Sequence, residues 1–232
     1  MRVGVITFPG SNCDYDLYKA AQQIGANVEF IWHRQKNLDG YDALMLPGGF
    51  SYGDYLRAGA IAQISPVMEE VSRFAANGGP VLGICNGFQI LCEAGLLPGA
   101  LVRNASLHFE SKDIHVLVEQ TDTLFPNKYE NGQILRIQLA HAEGNYEANE
   151  QLLEELEDDG RVVFRYVTSD GELSKEANPN GSRNNIAGLT NNSGNGLGMM
   201  PHPERAMEDI LGSVDGVGVF LSLATNLSTA GI

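Results

Sequence analysis

Positive charge is scarce in this chain of 232 residues: 15 Lys and Arg stand against 29 Asp and Glu, a formal net charge of -14. Such a surface repels phosphate backbones, which argues against nucleic acid as a partner. Long apolar runs are lacking as well. No stretch reaches the ~18 residues that a membrane span needs. The opening Met1-Arg2-Val3-Gly4-Val5-Ile6-Thr7 is too short in its apolar run for a secretory signal. A soluble, cytoplasmic protein is expected. Cysteine is sparse too: Cys13, Cys85 and Cys92 form no metal-ligand or disulfide pattern, which fits a reducing compartment. There is neither a G-x-x-x-x-G-K-S/T loop nor a G-x-G-x-x-G opening a helix, so nucleotide chemistry has no phosphate cradle here. With no internal repeat and no linker, 1–232 reads as one domain.

What is present is an ordinary globular composition, 43% hydrophobic. Apolar runs at 3–8, 28–33, 43–46 and 81–84 read as buried strands. Helical patterns fall between and after them. One runs over 14–24, with Gly25 as its stop. A second covers much of 56–76, with a new start at Pro66, and a third spans 86–94. This alternation implies an α/β fold, a mostly parallel sheet covered by helices on both faces. Later strands at 114–119, 134–140, 162–167, 186–190 and 196–200 either extend that sheet or form an antiparallel flap. The acidic stretch 147–159 reads as a solvated helix face. Residues 170–185 read as a surface loop and 213–223 as a closing helix.

Gly83-Ile84-Cys85-Asn86-Gly87 follows an apolar strand and opens a helix. Two glycines around a nucleophile permit a sharp strand-to-helix turn, and the helix dipole favours a thiolate there. Cys85 is the expected nucleophile. Cys92 falls on the inner face of the same helix and reads as core, whereas Cys13 lies in a loop that could line a cleft.

An ordinary thiol is mostly protonated at neutral pH, so Cys85 needs a base. Of five histidines, His202 stands out in Pro201-His202-Pro203-Glu204. Its prolines forbid a helix there, and in an extended segment Glu204 shares a side with the imidazole and can orient it. His141 is the competing base, placed by preference at the rim or at a subunit contact. In Leu46-Pro47-Gly48-Gly49-Phe50 a glycine pair ends a strand. Its N–H groups, with that of Asn86, could face a tetrahedral oxyanion.

Pro-Gly-Gly, then Gly-x-Cys-x-Gly with Gln89, then His-x-Glu is the pattern of the class I, triad-type glutamine amidotransferases, which this chain resembles. Phe8 to Asp14, Gly49 to Ala60, Gly83 to Gln89 and Met199 to Arg205 extend the likeness to the stand-alone glutaminase subunits of phosphoribosylformylglycinamidine synthases. The resemblance implies a flavodoxin-like fold and a Cys85, His202, Glu204 triad. It implies Gly49 and Asn86 as oxyanion donors and Gln89 as a glutamine contact. Asn104, Ser106 and Phe109 are implied to hold the α-amino and carboxylate groups, although Phe109 reads equally well as core. No metal or cofactor is implied in this chain. The implied partners are an ATP- and Mg2+-using synthetase subunit and a small scaffold subunit. The synthetase converts formylglycinamide ribonucleotide to its amidine in purine biosynthesis. Two rivals remain: a free-standing cysteine hydrolase of α/β-hydrolase type and a non-catalytic module. In the first, the acid precedes the His by a long stretch of chain; here it follows by two residues.

Overall fold

The structure is a computed structural model and describes residues 1–229. The first half of the chain gives β1 (Arg2–Thr7), α1 (Asp14–Gln23), β2 (Asn27–Trp32), β3 (Ala43–Leu46), α2 (Pro66–Ala76), β4 (Val81–Ile84), α3 (Asn86–Glu93) and β5 (Ala100–Val102). There follow β6 (Glu110–Val118), β7 (Ile134–His141), β8 (Asn145–Glu147), α4 (Glu150–Asp158), β9 (Val162–Val167), β10 (Ile186–Thr190), β11 (Gly196–Met199) and α5 (Val217–Thr229).

Among the described residues nine strands form one sheet, in the order β2-β1-β3-β4-β11-β10-β9-β6-β7. The first five run parallel. Every pairing beyond β11 is antiparallel. The late strands therefore extend the sheet rather than forming a flap. The order β2-β1-β3-β4-β11 matches the flavodoxin-like 2-1-3-4-5 arrangement, with β11 in the last place. In such sheets the crevice for a ligand opens at the carboxyl ends of the strands, where the winding direction reverses. Here that point lies between β1 and β3.

Every residue of β3, β4 and β11 is buried, as expected for parallel strands covered on both faces. Each Leu, Ile or Met so placed contributes about 1.5–3 kcal/mol. Helix α2 turns Val67, Met68, Val71 and Ala75 inward. Helix α3 is buried along most of its length. It lies so close to β3 that a Cβ on Gly87 would come 2.1 Å from the Leu46 carbonyl oxygen.

Three expectations shift. The helical reading of 56–76 holds only from Pro66. Before it the chain is irregular except for one 3-10 turn at Ala62–Ile64. Ser65 is extended, as the residue before a proline prefers, and Gly59 is wedged against the Gln89 backbone. The closing helix begins at Val217 and runs to Thr229, because Gly216 is pressed against the Pro203 carbonyl. The ribbon of β5 and β8 was not expected; three-residue strands are too short to show a period.

Candidate active site

Four strand ends meet at the carboxyl edge of the parallel half of the sheet. The segment after β1 brings Cys13, and the end of β3 brings Gly48 and Gly49. The tip of β4 brings Cys85, and the segment after β11 brings His202. With Asn12, Phe50, Phe109, Ala140 and Arg205 they surround a cleft; Cys13, Gly49, Cys85 and His202 line it directly.

Cys85 occupies the turn between β4 and α3 with φ 51° and ψ −107°. That conformation costs a non-glycine residue about 1–3 kcal/mol and persists only where the surroundings enforce it. Its N–H donates to the Met199 carbonyl (2.8 Å), and its carbonyl accepts from Gln89 N (3.1 Å). Its Sγ lies 3.6 Å from the Ala140 carbonyl oxygen. Asn86 opens α3, so its N–H has no acceptor within the helix. The Asn86 side chain accepts from Ser51 N (3.1 Å) and donates to Gln89 Oε1 (2.9 Å).

His202 is pinned to β7 by its N–H, which donates to the Gln138 carbonyl (2.8 Å). Its Nδ1 is 2.6 Å from Glu204 Oε1, with both residues buried. Here the reading of an extended Pro-His-Pro-Glu segment is corrected. Pro203–Arg205 is a 3-10 turn, and the carboxylate reaches the ring across it. Nε2 has no hydrogen-bond partner among the described residues. A Cβ on Gly48 would lie 2.8 Å from His202 Cε1, 3.3 Å from Cys13 Sγ and 3.4 Å from the Cys85 Cβ. Base and cysteine thus converge over a residue that must lack a side chain. Burial alone would lower the pKa of His202. The Glu204 carboxylate and the Cys85 sulfur outweigh it and push the imidazole up to about 10. A ring with that affinity for protons is a strong acceptor for the proton of a thiol.

His141 is not at the rim. It is 3% exposed, closed in by Gly144 and near Asn180 Nδ2 (3.3 Å). Burial first, then the charge of His202, lowers its pKa to about 4. It stays neutral where His202 holds a proton.

Of the implied oxyanion donors, Gly49 lines the cleft with Cys85, and Asn86 follows Cys85 at the start of α3. Gly49 has φ +136°, and a Cβ there would meet Asn12 N at 2.7 Å. The implied glutamine contacts divide. Phe109 is 52% exposed and lines the cleft, so it is not core. Gln89 does not line it: its amide is taken up by Asn86 and by the Glu143 carbonyl. Asn104 is fully buried and braces the turn after β7, donating to the His108 and His141 carbonyls and accepting from Gly144 N, each at 2.9 Å. Ser106 is exposed and bonds Glu110 (3.1 Å). The side chains of Gln89, Asn104 and Ser106 shape the surroundings of the cleft rather than its wall.

Two polar groups on the cleft wall, Asn12 and Arg205, lie in stretches that carry the family likeness but were given no role there. Arg205 donates from Nη2 to Cys13 Sγ (3.1 Å) and from Nε to Asp16 (3.2 Å). Burial pushes the Cys13 thiol up to about 12 and also raises that of Cys92. Asn180, also unforeseen, is 1% exposed and ties the Gly144 carbonyl and the Tyr166 hydroxyl together behind His141. The loop at 170–185 is therefore partly interior.

A cysteine on a strained strand-to-helix turn, facing a buried His–Glu pair on a flavodoxin-like sheet, defines a class of glutamine-handling enzymes. The family model of the CobB/CobQ-like glutamine amidotransferase domain matches residues 1–215. Phosphoribosylformylglycinamidine synthase subunit PurQ of Chlorobaculum parvum is 54% identical over 229 residues, 98% of this chain and 91% of that protein. Its counterpart in Thermus thermophilus is 53% identical over 228 residues, 98% of this chain and all of that protein. A chain in the structure of PurLQS from Thermotoga maritima superposes with a TM-score of 0.87 at 43% identity, covering 97% of this chain and 98% of that one. The chain belongs to the glutamine amidotransferase family and, within it, to the PurQ subunits of phosphoribosylformylglycinamidine synthase.

Proposed function

We propose that this chain hydrolyses the side-chain amide of L-glutamine through Cys85 and passes the ammonia to a separate synthetase subunit. His202 holds the thiol proton as Sγ attacks the amide carbon. The oxyanion that forms faces the N–H groups of Gly49 and Asn86. Collapse returns the proton from His202 to the leaving nitrogen, so ammonia departs and a γ-glutamyl thioester remains on Cys85. Water, losing its proton to His202, then attacks the thioester and releases glutamate with regeneration of the thiol. The observation that carries this reading is the buried 2.6 Å contact of Glu204 with a His202 ring lying against the same Gly48 position as Cys85.

All groups this hydrolysis needs belong to the chain, so no cofactor is assigned to it. ATP and Mg2+ are assigned to the synthetase, which makes the amidine from formylglycinamide ribonucleotide; a small scaffold subunit completes the complex. The full-length likeness to PurQ subunits and to a chain of the PurLQS structure supports this assembly. A cytoplasmic location follows from that pathway, and among the described residues no helix is long and apolar enough to cross a membrane. The test is Cys85→Ala in the reconstituted complex. Glutamine-dependent synthesis should disappear while synthesis from ammonium salts persists. A variant that keeps its glutamine-dependent rate would overturn the assignment.

A further inference from the structure

The loop that follows Gly49 is strained a few residues beyond that proposed oxyanion donor. Tyr52, Asp54 and Leu56 have φ of 54°, 53° and 70°, and Gly53 has φ 66°. Left-handed backbone costs roughly 1–2 kcal/mol at each non-glycine residue, so other contacts must hold this course. Some are main-chain bonds: Phe50 N to the Gly10 carbonyl (3.1 Å) and Tyr52 N to the Pro9 carbonyl (2.6 Å). Among the larger side chains, Phe50, Tyr55 and Leu56 point to solvent. Tyr52 turns inward. Its hydroxyl is 2.8 Å from His33 Nδ1 and 3.0 Å from Ser65 Oγ, and its ring meets His33 edge-on at 5.7 Å.

Both partners are themselves fixed. His33 N donates to the Thr7 carbonyl (3.0 Å) at the end of β1, and the His33 carbonyl accepts from Val67 N (3.0 Å) at the start of α2. Burial lowers the pKa of His33. Its neutral ring can accept the Tyr52 proton while that hydroxyl accepts from Ser65. Tyr52 thereby joins the oxyanion loop to the ends of β1 and β2 and to the start of α2.

We propose that Tyr52 is a positioning residue for glutamine hydrolysis, its hydroxyl latched between His33 and Ser65 so that the strained loop presents the Gly49 N–H to the oxyanion. This rests on the hydrolysis proposed above. Tyr52 does not touch substrate; it acts through the Gly49 peptide. Losing an oxyanion donor outright costs about 10²–10³-fold, and loosening one costs less.

Tyr52→Phe keeps the ring and removes the hydroxyl. In the reconstituted complex, kcat for glutamine should fall about tenfold with KM within about twofold. Affinity for L-glutamate γ-semialdehyde should fall by the same factor, because its thiohemiacetal with Cys85 carries the same oxyanion. Alkylation of Cys85 by iodoacetamide, which creates no oxyanion, should keep its rate. Ser65→Ala, which removes one anchor, should show the same pattern to a smaller degree and add nothing in the Tyr52→Phe background. It serves as the test if Tyr52→Phe does not fold. Kinetics and semialdehyde affinity within about twofold of wild type in both variants would overturn the latch. So would a loss of alkylation rate equal to the loss of kcat. Wild-type complex inert toward glutamine would instead overturn the hydrolysis itself.

Discussion

Two buried histidines lie close enough for the charge of one to act on the other, and their surroundings drive them in opposite directions. His202 sits in a proline-flanked turn against a carboxylate and a sulfur, and its proton affinity rises. His141 sits at the end of β7 among carboxamides, with Asn180 beside its ring and Asn104 holding its carbonyl, and its proton affinity falls. Both are about equally buried. Burial therefore does not decide which of them can act as a base. The countercharge does: Glu204 offsets desolvation for His202, whereas Glu110 acts on His141 too weakly to do so.

The sharpest way to break the comparison is to delete each ring. His202→Ala should reduce glutamine hydrolysis by about 10³-fold or more at saturating glutamine, approaching Cys85→Ala. His141→Asn should cost about tenfold or less, through the packing of the turn behind Ala140. Steady-state assays of both variants decide it, and equal losses would erase the distinction.

Glu204→Gln tests the cause. It keeps the shape and removes the countercharge, so the pKa of His202 should drop and hydrolysis should fall by about 10²-fold. The remaining rate should exceed those of both Cys85→Ala and His202→Ala, since the carboxylate orients the base and is not the base. A rate within about threefold of wild type would show that orientation alone suffices.

The smallest effect is on stability. The folded pKa of His202 lies above its ordinary value of 6.5, so its contribution is complete below pH 6.5 and is lost as pH rises toward about 10. The folded pKa of His141 lies below 6.5, so the unfolded chain takes up a proton that the folded chain refuses. Stability then falls as pH drops from 6.5 to about 4. The acid loss amounts to roughly 3 kcal/mol and should largely vanish in His141→Asn. Denaturant midpoints across pH 4–10 measure both slopes.

The sequence made part of this legible. Cys85, His202 and Glu204 sit in short motifs whose residues are adjacent in the chain, so their grouping needed no tertiary information beyond the convergence of strand ends. The strands of the parallel half were readable because burial on both faces gives continuous apolar runs, as in Ala43–Leu46 and Val81–Ile84. Arg205 beside Cys13, and Asn180 beside His141, were not legible: each contact joins residues far apart in sequence through side chains with no periodic signature. Asn104 and Gln89 were legible as present but not in role, because whether a carboxamide faces a cleft or braces a turn depends on which backbone groups lie within reach. The rim placement of His141 failed for the same reason: a histidine after a strand looks like a cleft residue until a glycine at Gly144 lets the chain fold over it.

The most direct test of the account is NMR titration of the histidine rings in the folded chain, with His202→Ala and His141→Asn supplying the assignments. One buried ring should stay protonated until about pH 10 and shift downward in Glu204→Gln, and one should stay neutral until about pH 4. Both rings titrating together near 6.5, or His141 holding the proton while His202 is neutral, would contradict it.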